Sequence, residues 1–366
     1  MSAADLANLW RHPSYNQYHL NYEGTGHANY HFGTLYNFDA ALTARYGTWP
    51  GLDQYVREAQ VQDYEDTRAQ YEAFIDHARH LPLPSTGTIY WQLNKGWPSM
   101  LWTLYNYDGD QAGSYFGAWE ANRTLHALYA LDTGTVTLDN LGNTTVTGLS
   151  VESKVYRMSG TLLDDRTARN ITLTSQQVRS DVLAPKVPAT TVPPAHASVY
   201  FVELLLRDAR GSVIDRNVYW LSTQRDKTNW RASLDQPEGI ISQYANLTGL
   251  KSLPRSSISV TAATRRQAGP DRADLATTVT ITNTSASTVA FFLRADVRRG
   301  TASGRVLSVG NELQSSTWRG NDITLFPGES QTLVVTYDSA DLAGKTPVIS
   351  VSGWNVPKID IAAPVR

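Results

Sequence analysis

The sequence contains no cysteine, which excludes disulfides, thiolate nucleophiles and cysteine-ligated zinc. It also lacks any long lysine or arginine run, and 32 basic residues against 34 acidic ones leave a formal net charge of -2 at pH 7. Such a balance argues against nucleic acid or an anionic membrane as a partner, since both select basic surfaces. No stretch is long and apolar enough to span a bilayer. The opening Met1-Ser2-Ala3-Ala4-Asp5-Leu6 has neither the basic nor the apolar region of an export signal. The compartment stays open, because cysteine-free chains occur both in the cytosol and among exported bacterial proteins.

What is present is size, apolar content and aromatic rings. A chain of 366 residues with 41% hydrophobic content predicts two or three domains with real cores. Ten Trp and nineteen Tyr are many, and the tryptophans cluster between Trp91 and Trp119. Aromatic rings stack on the C–H faces of sugars, but they also fill the cores of large domains. Density alone leaves both readings open.

The first third reads as helical with one strand. Leu35, Phe38 and Leu42 recur at helical spacing, with Gly47 as a stop. A longer helix is predicted over 52–79. Its apolar face is formed by Leu52, Tyr55, Val56 and Ala59 and continues through Tyr71, Phe74, Ile75 and Ala78. Leu81-Pro82-Leu83-Pro84-Ser85 breaks it, 88–93 suits a buried strand, and a further helix is expected over 115–129. Helix, strand and helix in that order give the α/β rhythm of a parallel sheet or barrel.

After Leu131 the helical period disappears and Thr, Val and Ser dominate. Strands are expected at 199–205 and 213–221 around a turn at 208–211. A linker-like stretch over 223–249 separates these from further strands at 257–264, 276–283, 289–297 and 331–337. Two successive sandwiches of immunoglobulin-like size follow.

Most catalytic signatures fail. Gly24-Thr25-Gly26 has Asn29 where a dinucleotide loop needs glycine. Asp108-Gly109-Asp110 has Ala112 and Trp119 where a calcium loop needs oxygen ligands. The histidines, mostly early in the chain, have no metalloprotease spacing, and His77 and His80 read as a solvated pair. No Gly-x-Ser-x-Gly elbow occurs. Neither a metal nor any other cofactor is expected. Asn311-Glu312 looks like a glycosidase acid/base motif but falls in the second sandwich, where it reads as a decoy.

The most specific stretch is Tyr90-Trp91-Gln92-Leu93-Asn94-Lys95-Gly96-Trp97 with Trp102, followed by Asp110-Gln111-Ala112-Gly113-Ser114-Tyr115-Phe116-Gly117. It resembles the last barrel strand and final helix of glycoside hydrolase family two, in its β-mannosidase and exo-β-D-glucosaminidase branch. The Asp110–Gly117 run is closer to the exo-β-D-glucosaminidases. Three further segments resemble the family in matching order: Ser2 to Trp10, Arg216 to Ser222, and Asn321 to Glu329.

The resemblance implies the end of a (β/α)8 TIM barrel over 1–130, with immunoglobulin-like β-sandwiches over 131–230 and 231–366. It implies an exo-acting retaining β-glycosidase that releases terminal β-D-glucosamine from chitosan oligosaccharides. In the family, nucleophile and acid/base lie on earlier barrel strands. No catalytic residue is therefore assigned here, and the chain alone is expected to be inactive, its partners being carbohydrate and the upstream half of the enzyme. Full-length relatives of this kind are expected to be secreted. Trp91 would be the platform under the terminal sugar, with Asn94 and Trp97 lining the pocket. Trp318, Asn321 and Asp322 are weaker substrate-binding candidates, and Asp110 and Tyr115 read as structural. A β-mannosidase of the same family and a non-catalytic sandwich that binds carbohydrate or protein remain as alternatives.

Overall fold

The computed structural model describes residues 4, 7, 8, 11, 36–79, 81–96, 98, 103–190, 197–234, 239–267, 274–307, 313 and 315–366. The segment from Ser2 to Trp10 in large part, the Gly24 loop, His80, Trp97, Trp102 and Asn311-Glu312 lie outside these residues.

Helix α1 (Tyr36–Tyr46) buries Leu42 and Tyr46 completely. It ends as expected at Gly47, whose φ of 80° and N–H bond to Thr43 O make a left-handed cap. Helix α2 (Leu52–Asp76) runs into a 3-10 turn over His77–Arg79, so the long predicted helix exists.

Its second half buries a different face from the one predicted. Tyr71 and Ile75 are only half-buried and Phe74 is 37% exposed, while Arg68, Glu72 and Asp76 are at most 4% exposed. The apolar stripe has little to pack against among the described residues, and the polar stripe meets the first sandwich.

Helix α3 (Gly113–Ala121) crosses α2 at very close range. A Cβ on Gly113 would lie 2.3 Å from Gln60 O, and one on Gly117 2.3 Å from Tyr64 O. The two glycines are thus contact surface, four residues apart on one helix face. Gln60 Oε1 accepts from Gly113 N at 2.7 Å and Asp63 Oδ2 from Ser114 N at 3.3 Å. Side chains of α2 thereby satisfy the free N–H groups that begin α3.

Two sequence expectations change here. Residues 88–93 form no strand, because the ladder partners a buried strand needs are absent among the described residues; Gln92 O and Leu93 O accept instead from Leu104 N and Tyr105 N of the following loop. The helix expected over 115–129 stops at Ala121, and β1 (Leu125–Tyr129) begins a hairpin with β2 (Val136–Asn140). Leu125 and Tyr129 are four apart, which fits a helix, but the segment's backbone pairs across the sheet. The 130/131 division falls in the turn of this hairpin.

The remaining strands of the first sandwich are β3 (Val146–Arg157), β4 (Leu162–Leu173), β5 (Gln177–Leu183), β6 (Val199–Arg207) and β7 (Val213–Ser222). They form two sheets ordered β1-β2-β5 and β4-β3-β6-β7. A short ribbon of β8 (Lys227–Thr228) and β9 (Ile241–Gln243) occupies the linker-like stretch.

The second sandwich follows as β10 (Ile258–Arg266), β11 (Leu275–Asn283), β12 (Ala290–Gly300), β13 (Thr317–Arg319), β14 (Ile323–Leu325), β15 (Ser330–Tyr337), β16 (Thr346–Ser352) and β17 (Ile359–Ala362). Its sheets are β10-β11-β15-β13 and β14-β12-β16-β17. The long strands fall close to their expected positions.

Strands β6 and β7 are buried on both faces, which explains the nearly unbroken apolar run of β6. Val202 and Leu204 join the first sandwich core, whereas Phe201 and Trp220 join a core shared by α1, α2 and the second sandwich. Trp220 meets Phe291 edge-on at 5.1 Å between centroids. Glu203, fully buried on that second face, accepts from Arg216 Nε at 2.8 Å, and Arg216 Nη2 reaches Glu329 at 2.8 Å.

A polar network joins α2 to this sheet. Arg68 donates to Asn217 Oδ1 at 2.8 Å and Val218 O at 2.6 Å, with its guanidinium 4.1 Å from the Tyr219 ring centroid. His126 lies between Asp215, 2.9 Å from Nδ1, and Glu72, 3.2 Å from Nε2. Burial opposes its charge, but the two carboxylates outweigh burial and raise its pKa well above the usual range.

Two predictions follow from this packing. Gly117→Ala should cost about 3 kcal/mol, because backbone rather than a flexible side chain blocks the new methyl; thermal unfolding measures it, and an unchanged Tm would refute the close crossing. Asp139 is fully buried, with no hydrogen bond to either carboxylate oxygen among the described residues, and burial raises it from 3.8 to about 7 against the pull of His126. Its folded-state pKa is raised, so its contribution to stability is greatest below the unfolded value and is lost as pH climbs to about 7. Asp139→Asn should match the parent near the unfolded pKa of 3.8, yet gain on the order of 2 kcal/mol above neutrality. Denaturant titrations at both ends of that range decide it.

Candidate functional site

The segment 88–95 lies across α2. Tyr90 stacks on Tyr71, with centroids 6.3 Å apart and planes 18° from parallel. Below it, Lys95 is buried, and burial lowers its ammonium to about 8 against the attraction of Asp63 and Asp108. Burial likewise lifts Asp63 to about 7, although the hydroxyl and N–H of Ser114 favour its charged form.

Above this base the apolar side chains face outward. Ile89 is 93% exposed, Trp91 63% and Leu93 62%. Asn94 is exposed and its Oδ1 accepts from Lys95 N at 2.7 Å, while Trp97 lies outside the described residues. Trp91 and Asn94 are therefore both open to solvent. An exposed indole can lie flat against the C–H face of a sugar ring.

Trp318, Asn321 and Asp322 sit in a different setting. Trp318 is buried in β13, and Gln111 clamps its backbone: Gln111 Oε1 accepts from Trp318 N at 2.7 Å and Nε2 donates to Trp318 O at 3.3 Å. Asn321 makes the same kind of clamp on Ala295, accepting from its N–H at 2.9 Å and donating to its O at 2.8 Å. Asp322 Oδ2 is 3.1 Å from Arg294 Nη1, and Arg294 Nη2 reaches Asp110 at 3.4 Å and Gln111 O at 2.5 Å. Trp318 through its backbone and Asp322 through Arg294 hold the terminal sandwich against the loop before α3, whereas Asn321 ties Ala295 of β12 within that sandwich.

The two groups are linked through that loop. Leu93 O accepts from Tyr105 N, Leu104 O accepts from Ala112 N, and Gln111 grips Trp318. The Trp91 face and the 318–322 segment thus share a support. Asp110 and Gln111 belong to the run that carries the family resemblance. Asp63, Lys95 and Arg294 were not singled out, since their partners are far away in the chain and leave no local signal.

Residues 239–356 match the exo-β-D-glucosaminidase Ig-fold domain. Over 99% of its length the chain is 39% identical to the exo-β-D-glucosaminidase of Streptomyces avermitilis, and over 97% it is 37% identical to that of Amycolatopsis orientalis. It spans 38% and 32% of those proteins. The crystal structure of the Amycolatopsis orientalis exo-chitosanase CsxA superposes on 99% of the chain with a TM-score of 0.84 at 35% identity, 40% of that chain being covered. Another structure of CsxA holds PNP-β-D-glucosamine. In sequence and fold the chain is thus similar, along nearly its whole length, to part of the exo-β-D-glucosaminidases, and it carries a match to the Ig-fold domain named for them.

Proposed function

We propose that the chain is the C-terminal portion of an exo-acting retaining β-D-glucosaminidase, and that the two carboxylates of the reaction lie outside it. In this reading 1–130 closes a (β/α)8 barrel, while 131–230 and 231–366 are the sandwiches behind it. The observation that carries the reading is the exposed apolar face. Leu81, Leu83 and Ile89 are 85%, 86% and 93% exposed, beside Phe74, Trp91 and Leu93. Exposed apolar side chains in this number fit a segment built to meet neighbouring parts of a barrel.

Retaining hydrolysis needs two carboxyl groups about 5 Å apart, one attacking the anomeric carbon and one handling the leaving-group proton. Glu203 and Glu329 are tied to Arg216, and Asp110 and Asp322 to Arg294. That commitment supports chemistry supplied from elsewhere. Trp91 then serves as the floor on which the terminal sugar lies, with Asn94 and Trp97 at its rim. The relatives named above are glucosaminidases, which supports a glucosaminide over a mannoside.

The chain alone should not hydrolyse PNP-β-D-glucosamine. A hybrid in which it replaces the matching part of the Amycolatopsis orientalis enzyme should do so, and Trp91→Ala in the hybrid should lower kcat/KM roughly 100-fold. Turnover by the chain alone that disappears with Trp91→Ala would place a carboxylate pair within it and overturn the reading.

A further inference from the structure

A second concavity lies away from the Trp91 face, where α2, the first sandwich and the 223–249 stretch meet. Its volume is about 260 Å3, just under the roughly 300 Å3 at which drug-sized pockets begin and therefore the scale of a single sugar ring. Tyr129, Tyr200 and Trp220 form aromatic walls, with Ala245 and Leu247 completing the apolar lining. Polar groups converge from several elements: Glu65 from α2, Asp132 from the β1–β2 turn, and Arg225 and Asp226 from the chain after β7.

Three buried atoms of lining residues, the Tyr129 hydroxyl, Glu65 Oε2 and Trp220 Nε1, lack hydrogen bonds among the described residues. The Tyr129 hydroxyl has no partner in a side chain only 3% exposed. Glu65 Oε2 is 3.5 Å from Arg45 Nη1 but makes no hydrogen bond. Arg45 is shared with Asp226, 2.9 Å from Nη2, so it serves two carboxylates at once. The Arg225 guanidinium lies near enough to the Tyr200 hydroxyl to oppose the rise that burial gives its pKa. Buried polar atoms in native proteins nearly always find partners, so an orphan donor and an orphan acceptor in one concavity call for a polar occupant. Three carboxylates against the one guanidinium of Arg225 leave a net negative lining, even with Arg45 held against Glu65 and Asp226 from outside it, which favours a cationic occupant.

We propose that this concavity is a second carbohydrate site that binds one 2-amino-2-deoxy-hexose, its ammonium among Glu65, Asp132 and Asp226 and its hydroxyls on Tyr129 and Arg225. The choice of sugar rests on the glucosaminidase reading; the site itself rests on the cavity and its orphan atoms. Its lining shares no residue with the Trp91 segment.

The test is binding, not hydrolysis, so its failure is separable from failure of the proposed activity. Isothermal titration and Trp fluorescence are followed while D-glucosamine hydrochloride is added to the chain at constant chloride, with D-glucose as comparator. Glucosamine should bind at one site, D-glucose about tenfold more weakly, and Glu65→Gln should remove about tenfold of the glucosamine affinity. Ala245→Leu, which fills the concavity, should abolish binding, and Trp91→Ala should leave it unchanged. Should Ala245→Leu or Glu65→Gln fail to fold, Asp132→Asn at the exposed rim should still weaken glucosamine and not glucose. No saturable binding, equal affinity for both sugars, or loss with Trp91→Ala alone would each overturn the proposal.

Discussion

One guanidinium fixes how this molecule is put together. Arg68 is 2% exposed, on a helix from the first third of the chain, and its hydrogen bonds end on Asn217 and Val218 of β7. A buried guanidinium without partners is costly enough to undo a domain, so this geometry leaves α2 little freedom to slide or rotate on the sheet. The neighbouring groups reinforce it. Asn217 and Tyr219 both donate to Glu72, and Glu72 and Asp215 hold His126 from either side. From Arg68 onward the helix is attached to the first sandwich by charge and hydrogen bonds, while Tyr64 one turn earlier packs on Trp220 in the shared apolar core.

This polar attachment explains why the sequence was legible for the sandwiches and less so for the first third. Alternation along β10, β11 and β15 reports one buried face and one solvated face, which is all a strand pattern encodes. In α2 the apolar residues Tyr71, Phe74 and Ile75 suggest the buried side, and the structure buries Arg68, Glu72 and Asp76 instead. Periodicity presumes that polar means outside. Only the positions of Asn217, His126 and Thr137, whose hydroxyl donates to Asp76 at 2.6 Å, make the polar stripe the inner one, and all are distant in sequence.

Other differences have equally local reasons. Leu125 to Tyr129 has helix-compatible spacing, yet the following turn at 131–134 brings Val136 to Asn140 back alongside it and the backbone pairs as a sheet. Residues 88–93 have strand composition and no ladder. At the candidate site, the Trp91 motif could be found by its residues alone, whereas the roles of Gln111 and Arg294 required knowing which strands they meet. The glycines at 113 and 117 were visible as part of a motif, but their reason, contact with the α2 backbone, was not.

Strands β6 and β7 have no solvent face to spare. One side completes the first sandwich, and the other completes a core that α1, α2 and the second sandwich also build. Domains that trail a catalytic barrel are often treated as interchangeable beads on a string. Here an exchange of the first sandwich with an unrelated one by recombination would strip Phe201, Trp220 and Arg216 from their neighbours' interiors. The parts of this chain are therefore inherited together, and substitutions in β6 or β7 are constrained by three surfaces at once.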